Sequence, residues 1–156
     1  MDNTFYKHIL VMTDFSEDSL YAVNIAGSLA KMSGCKLTIL HVAHDESQLS
    51  LYIGQDYLKR MIEQIDNEIN KQIEEVKEKI PVLKEIEVRK VIRRGIPYVE
   101  GLLEIEKGIY DLVVMGSHGR TSIKKFFYGS TVEKVARRSP VSVLITRRPK
   151  NIQLTG

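Results

Sequence analysis

Five short apolar blocks, at residues 8–13, 37–42, 86–92, 111–115 and 141–146, alternate with stretches whose apolar residues recur at helical spacing. That alternation is the strongest constraint on the fold. Blocks of this length rich in Val, Ile and Leu read as strands. The first, second, fourth and fifth run almost continuously apolar, as parallel strands do when helices cover both faces of their sheet. Between them, residues 16–32 form the first helical pattern, with Ser16 as its cap and Gly34 as its stop. A second pattern steps through Tyr57, Leu58, Met61, Ile62, Ile65, Ile69, Ile73, Val76 and Ile80 until Pro81 ends it, and its stripe reads as core packing. Residues 98–107 and 131–138 make two shorter helices. Strand followed by helix through five strands, with right-handed crossovers, predicts a doubly wound, Rossmann-like α/β sheet.

With 156 residues and no internal repeat or linker, the chain is expected to be a single domain over 1–156 with a sizeable core. A net charge of +3 favours small anionic ligands without demanding nucleic acid. The lone Cys35 allows no internal disulfide, no apolar run reaches the length of a membrane span, and the polar first residues make no signal peptide. The expectation is a cytoplasmic protein. The segment 43–54 is the longest loop, and the tail from Pro149 has too little pattern to assign.

In an open α/β sheet the ligand crevice lies at the carboxyl ends of the strands. The residues to weigh are therefore Thr13 to Ser16, Val42 to Asp45, Arg93 to Pro97 and Gly116 to Thr121. The last set is the most informative. Gly116 and Gly119 bracket a turn after a hydrophobic strand, and Gly129-Ser130-Thr131 opens a helix. Glycines let backbone N–H groups approach an anion, and a helix N-terminus adds unpaired donors with a partial positive charge. The hydroxyls of Ser130 and Thr131 offer further hydrogen bonds to phosphate. On spacing alone, the same residues also suit a tight turn and a helix cap. Asp14 has two readings as well: an acceptor for ribose hydroxyls, or the cap of the following helix.

Gly116, two residues, Gly119, nine residues and Gly129-Ser130, with Met115 in front, resemble the ATP-binding signature of universal stress proteins. The resemblance extends over nearly the whole chain, through Ile9 to Ser16, His41-Val42, Gly95-x-Pro97 and Ser139 to Leu144. It implies a five-stranded parallel sheet of order 3-2-1-4-5 with helices on both faces. It also implies ATP as ligand, with or without Mg. Asp14 would contact the nucleotide near the ribose, the Val42 backbone would read the adenine edge, and Met115 would flank the base. Gly116, Gly119 and Gly129 would admit the phosphates, with Ser130 and Thr131 binding them and Arg120 and Lys124 lining their site. Met12 stands where some ATP-binding members carry proline. The strand order puts residues 141–146 on a sheet edge, which predicts a homodimer through that strand. The role implied is a nucleotide-dependent sensor or regulator in a stress response, acting on an unknown protein partner, with a slow partner-activated ATPase as the alternative.

Other chemistries fit less well. There is no Walker run, no Gly-x-Gly-x-x-Gly after the first strand and no Gly-x-Ser-x-Gly elbow. A phospho-acceptor receiver would want an acidic residue where Ile92-Arg93 stands, and the loop after strand one lacks a flavin-phosphate cluster. His41 and His44, three apart at a strand end, point to opposite faces, which argues against a shared metal. His118 reads as an exposed spacer in the glycine loop. Basic pairs such as Arg93-Arg94 and Arg137-Arg138 are dispersed with few aromatics nearby, so they read as solvated surface rather than a nucleic-acid face. No residue is assigned a catalytic role.

Overall fold

A computed structural model describes residues 5–118 and 129–149. Its elements are β1 (His8–Met12), α1 (Glu17–Ser33), β2 (Lys36–Ala43), α2 (Gln55–Lys79), β3 (Val88–Arg94), α3 (Pro97–Ile105), β4 (Leu112–Gly116), α4 (Ser130–Arg138) and β5 (Ser142–Thr146). Short 3-10 turns, Ser47–Leu51 and Pro81–Glu85, flank α2. The strands form one parallel sheet of order β3-β2-β1-β4-β5. Strand order therefore reverses between β1 and β4, and the carboxyl ends of those two strands face the topological switch point.

Both faces of the sheet are buried, which explains why the central strands are apolar without alternation. Ile9, Val11, Leu112 and Val114 pack under α1 through Ala22, Val23, Ala26 and Ala30, with Val76 of α2 in the same cluster. Leu10, Met12, Val113 and Met115 point the other way, onto Ile105 of α3 and onto Val132 and Val135 of α4. Each buried Val, Leu, Ile or Met among them contributes about 1.5–3 kcal/mol when withdrawn from water. Met12 belongs to this core, and a Cβ on Gly101 would stand 2.6 Å from its Cε.

The helix signals act as read. Ser16 accepts from the Ser19 amide at 3.3 Å, and Gly34 adopts φ 65° while its amide closes back on the carbonyls of Ala30 and Lys31. Pro81 follows the end of α2 and Pro97 sits in the first turn of α3. Boundaries move by one or two residues. The third strand is shifted two residues toward the carboxyl end, because Arg93 and Arg94 stay in the ladder opposite Val42 and Ala43. Asp111 precedes β4, where its carboxylate accepts from the amides of Lys7 at 2.7 Å and His8 at 3.3 Å. Of the α2 stripe, Leu58, Ile69, Ile73, Val76 and the following Ile80 are buried, and Tyr57 is exposed. The loop after β2 contains one of the 3-10 turns. Among the described residues, no helix is long and apolar enough to cross a membrane.

Candidate functional site

The chain leaves β1 through a turn that is over-determined by hydrogen bonds. Phe15 has φ 64°, the left-handed region that costs a bulky residue about 1–2 kcal/mol. Its amide donates to Thr13 Oγ1 at 3.0 Å, and the Ser16 amide donates to Asp14 Oδ1 at 3.0 Å. Ser19 Oγ donates to the Ser16 carbonyl, so the Thr13 hydroxyl donates to Ser19 Oγ at 2.8 Å. From β2, His41 Nδ1 lies 2.9 Å from the Thr13 carbonyl, which makes Nδ1 the protonated nitrogen. The His41 ring also packs on Phe15 with centroids 4.6 Å apart. Asp14 thus anchors the turn, and Ser16 is the helix cap. This support from His41 was not legible in the sequence, where its spacing from His44 raised only the question of a metal.

At the end of β2, Val42 is half-buried and lies in register with Arg93. The two arginines there are engaged by acids. Arg94 bonds the His44 carbonyl and pairs with Glu46 and Asp66. Arg93 pairs with Glu100 at 2.7 Å and with Glu104 at 3.1 Å. Glu104 is 0% exposed and takes further bonds from Lys107 at 2.9 Å and the Tyr110 hydroxyl at 2.7 Å. Burial alone would push its carboxyl upward, but the donors from Lys107, Tyr110 and Arg93 outweigh that and hold it below its ordinary range. Burial, with Glu104 beside it, pushes the Tyr110 phenol up to about 12.

The end of β4 differs from the sequence expectation in two ways. Gly116 is the last residue of the strand itself and takes up Thr146 as its register partner. Ser117 is buried, with its amide donating to the Thr146 carbonyl at 3.1 Å and its carbonyl accepting from Gly129 at 3.1 Å. That last bond brings the start of α4 beside the end of β4. His118 is no exposed spacer: its side chain is 18% exposed, with Nδ1 2.9 Å from Ser117 Oγ and 3.7 Å from Asp18 Oδ2. Its buried Nε2 has no hydrogen-bond partner among the described residues.

At α4, Gly129 occupies the cap position with φ −57° and ψ 153°, and among the described residues no side chain caps the helix. Ser130 and Thr131 are its first two helical residues, so neither plays the capping role open to it in the sequence. The first-turn amides lack the intrahelical partners that later residues have. Met115 is buried in the core, and its carbonyl accepts from Thr146 Oγ1 at 3.3 Å. Gly119, Arg120 and Lys124 lie outside the described residues. Asp14 therefore follows β1, Met115 and Gly116 end β4, and Gly129, Ser130 and Thr131 open α4, with Val42 near the end of the neighbouring β2.

A shallow concavity of about 330 Å³ lies at the opposite edge of the sheet, lined by His8, Lys36, Leu37, Glu87, Arg89 and Ile109. Burial and the charges of Lys36 and Arg89 lower the His8 pKa there. It touches none of the carboxyl-end residues. Among the described residues, no three of His, Cys, Asp and Glu gather in a way that would hold a metal.

The model of the universal stress protein family matches residues 5–147. Universal stress protein MJ0577 of Methanocaldococcus jannaschii is 34% identical over 159 aligned positions, covering 94% of this chain and 98% of that protein. A solved structure of MJ0577 superposes with a TM-score of 0.78 at 27% identity, over 94% of this chain and 99% of that one. A universal stress protein solved in complex with cAMP superposes with a TM-score of 0.67 at 25% identity, over 91% and 97% of the two chains.

Proposed function

The chain belongs to the universal stress protein family, and from that premise we propose that it binds ATP at the carboxyl ends of β1 and β4 as a nucleotide-dependent regulator. One observation carries the reading. The N-terminus of α4, which no side chain caps among the described residues, is held against the end of β4 by the Gly129 to Ser117 bond of 3.1 Å, at the switch point of the sheet. A helix N-terminus in that place favours phosphate through its free amides and its dipole. The fixed turn at Asp14 sets a carboxylate beside the same switch point, where ribose hydroxyls would donate to it. The cAMP complex of a relative is consistent with an adenine nucleotide as the ligand class.

In this reading Val42 reads the base edge through its backbone and Met115 flanks the base. Gly116, Gly119 and Gly129 admit the phosphates, and Ser130, Thr131 and Arg120 bind them, with Mg entering, if at all, on the phosphates. The protein works in the cytoplasm as a homodimer paired through β5, and the nucleotide changes the surface it offers to a protein partner. Calorimetric titration with Mg·ATP, ADP, AMP and cAMP tests it. Saturable binding of an adenine nucleotide that disappears in Gly119→Val is the expected result. No heat with any of the four overturns it, and phosphate release at steady state would move the protein to the slow ATPase class.

A further inference from the structure

We propose that Asp18 is a positioning residue that ties the exit of β4 to the exit of β5, so that nucleotide binding and pairing of the β5 edge are linked; the link to nucleotide rests on the function proposed above. Gly116 and Thr146 are register partners at the ends of β4 and β5. His118 and Arg148 each stand two residues beyond that pair. Both reach the same carboxylate on the first turn of α1, one at each oxygen: His118 Nδ1 at 3.7 Å from Oδ2, and Arg148 Nε at 3.4 Å from Oδ1.

The backbone of Asp18 is fixed at the same junction. A Cβ on Gly116 would stand 2.7 Å from its carbonyl oxygen, so α1 packs directly on the strand. Glu17 takes the other side of Arg148, at 2.7 Å from Nη2, and has no ion pair with His118 among the described residues. His118 leads into the segment that ends at Gly129 and α4, and Arg148 follows the edge strand. One acid thus stands within ion-pair reach of the entrance of the proposed phosphate segment and of the exit of the proposed dimer strand. A ligand that moves one exit changes what the other can bond, and such coupling acts equally in both directions.

Hydrogen exchange of the ligand-free protein separates this from two independent surface ion pairs. Asp18→Asn should speed exchange about fivefold, the lower range of typical coupling, both at 115–118 and at 144–148, whereas Glu17→Gln should speed only the second. Acceleration at one segment alone, or at neither, overturns the proposal. As a measure that keeps Asp18 in place, His118→Gln and Arg148→Gln combined should change unfolding stability non-additively, and strict additivity would also overturn it. With Mg·ATP, the dimer dissociation constant of the wild type should shift and that of Asp18→Asn should shift much less; equal shifts in the two count against the anchor. If the wild type gives no heat with nucleotide, the functional reading fails, while the ligand-free exchange still decides whether Asp18 anchors both exits.

Discussion

The carbonyl oxygen of Asp18 lies 2.7 Å from the point where a Cβ on Gly116 would stand. Real Cβ atoms do not come so close to a backbone oxygen. Gly116 is thus required by the packing of α1 on β4, whatever ligand binds nearby. Gly116→Ala should force the helix away from the strand and cost about 1–3 kcal/mol. For a chain of this length the melting temperature should fall by about 2–4 °C per kcal/mol. Thermal unfolding without ligand measures this, and an unchanged melting temperature would show that α1 is free to shift.

Glu104 is the buried acid on which Arg93, Lys107 and Tyr110 converge. Its replacement by Gln removes the charge that all three donors serve. A loss of about 2 kcal/mol is expected from bonds to a charged group, discounted because Lys107 is itself half exposed. The folded carboxyl sits below its ordinary value, so its contribution is fully present above the unfolded pKa of about 4.3 and is lost as pH falls through the folded one. Chemical denaturation between neutral and acidic pH should therefore show a shallower acid limb in Glu104→Gln than in the wild type. Parallel limbs would refute this account of Glu104.

Tyr110 gives the opposite sign. Its folded pKa of about 12 exceeds the unfolded value of about 10, so the folded state binds the proton more tightly. That stability is complete below the unfolded value and is lost as pH rises toward the folded one. Tyr110→Phe should cost about 1 kcal/mol at neutral pH and should remove the decline in stability on the way to pH 12. Denaturation at neutral and at strongly alkaline pH checks both parts.

The fold was legible because its signals are local. Ser16 caps α1, Gly34 ends it and Pro81 follows α2 as their chemistry requires, and the unbroken apolar strands foretold two covered faces. Arg93 and Arg94 hid the end of β3, because long cationic side chains look like loop until acids such as Glu104 and Asp66, distant in sequence, are seen to pair with them. His118 looked exposed for a related reason: nothing local shows that Ser117 and Asp18 will hold it. The strained turn at Phe15 depends on His41 from the neighbouring strand, and periodicity carries no trace of a contact across strands.

Thr131 enters α4 just after the cap position that Gly129 fills without a side-chain bond. Its hydroxyl is therefore not spent on capping, and in the proposed site it donates to a phosphate oxygen. Thr131→Val keeps the shape and removes the donor. Affinity for Mg·ATP should fall at least about tenfold, the weight of one bond to a charged acceptor, with the melting temperature of the unliganded protein nearly unchanged. Equal affinity in calorimetric titration would remove Thr131 from the site.

β5 is the edge strand next to β4, and its Leu144 is 36% exposed, an apolar side chain on a strand with one side unpaired among the described residues. The opposite edge, β3, carries exposed Arg89 and Lys90, charges that oppose pairing with another chain. The two edges are therefore unequal, and in the proposed dimer β5 is the edge that meets a second copy across a twofold axis. Leu144→Lys would place like charges near that axis and should convert the dimer to monomer at micromolar concentration in analytical ultracentrifugation. The far-ultraviolet spectrum should not change, because the residue is not part of the core under either helical layer. A wild-type protein that sediments as a monomer at every concentration would refute the β5 dimer, and a Leu144→Lys dimer would place the contact elsewhere.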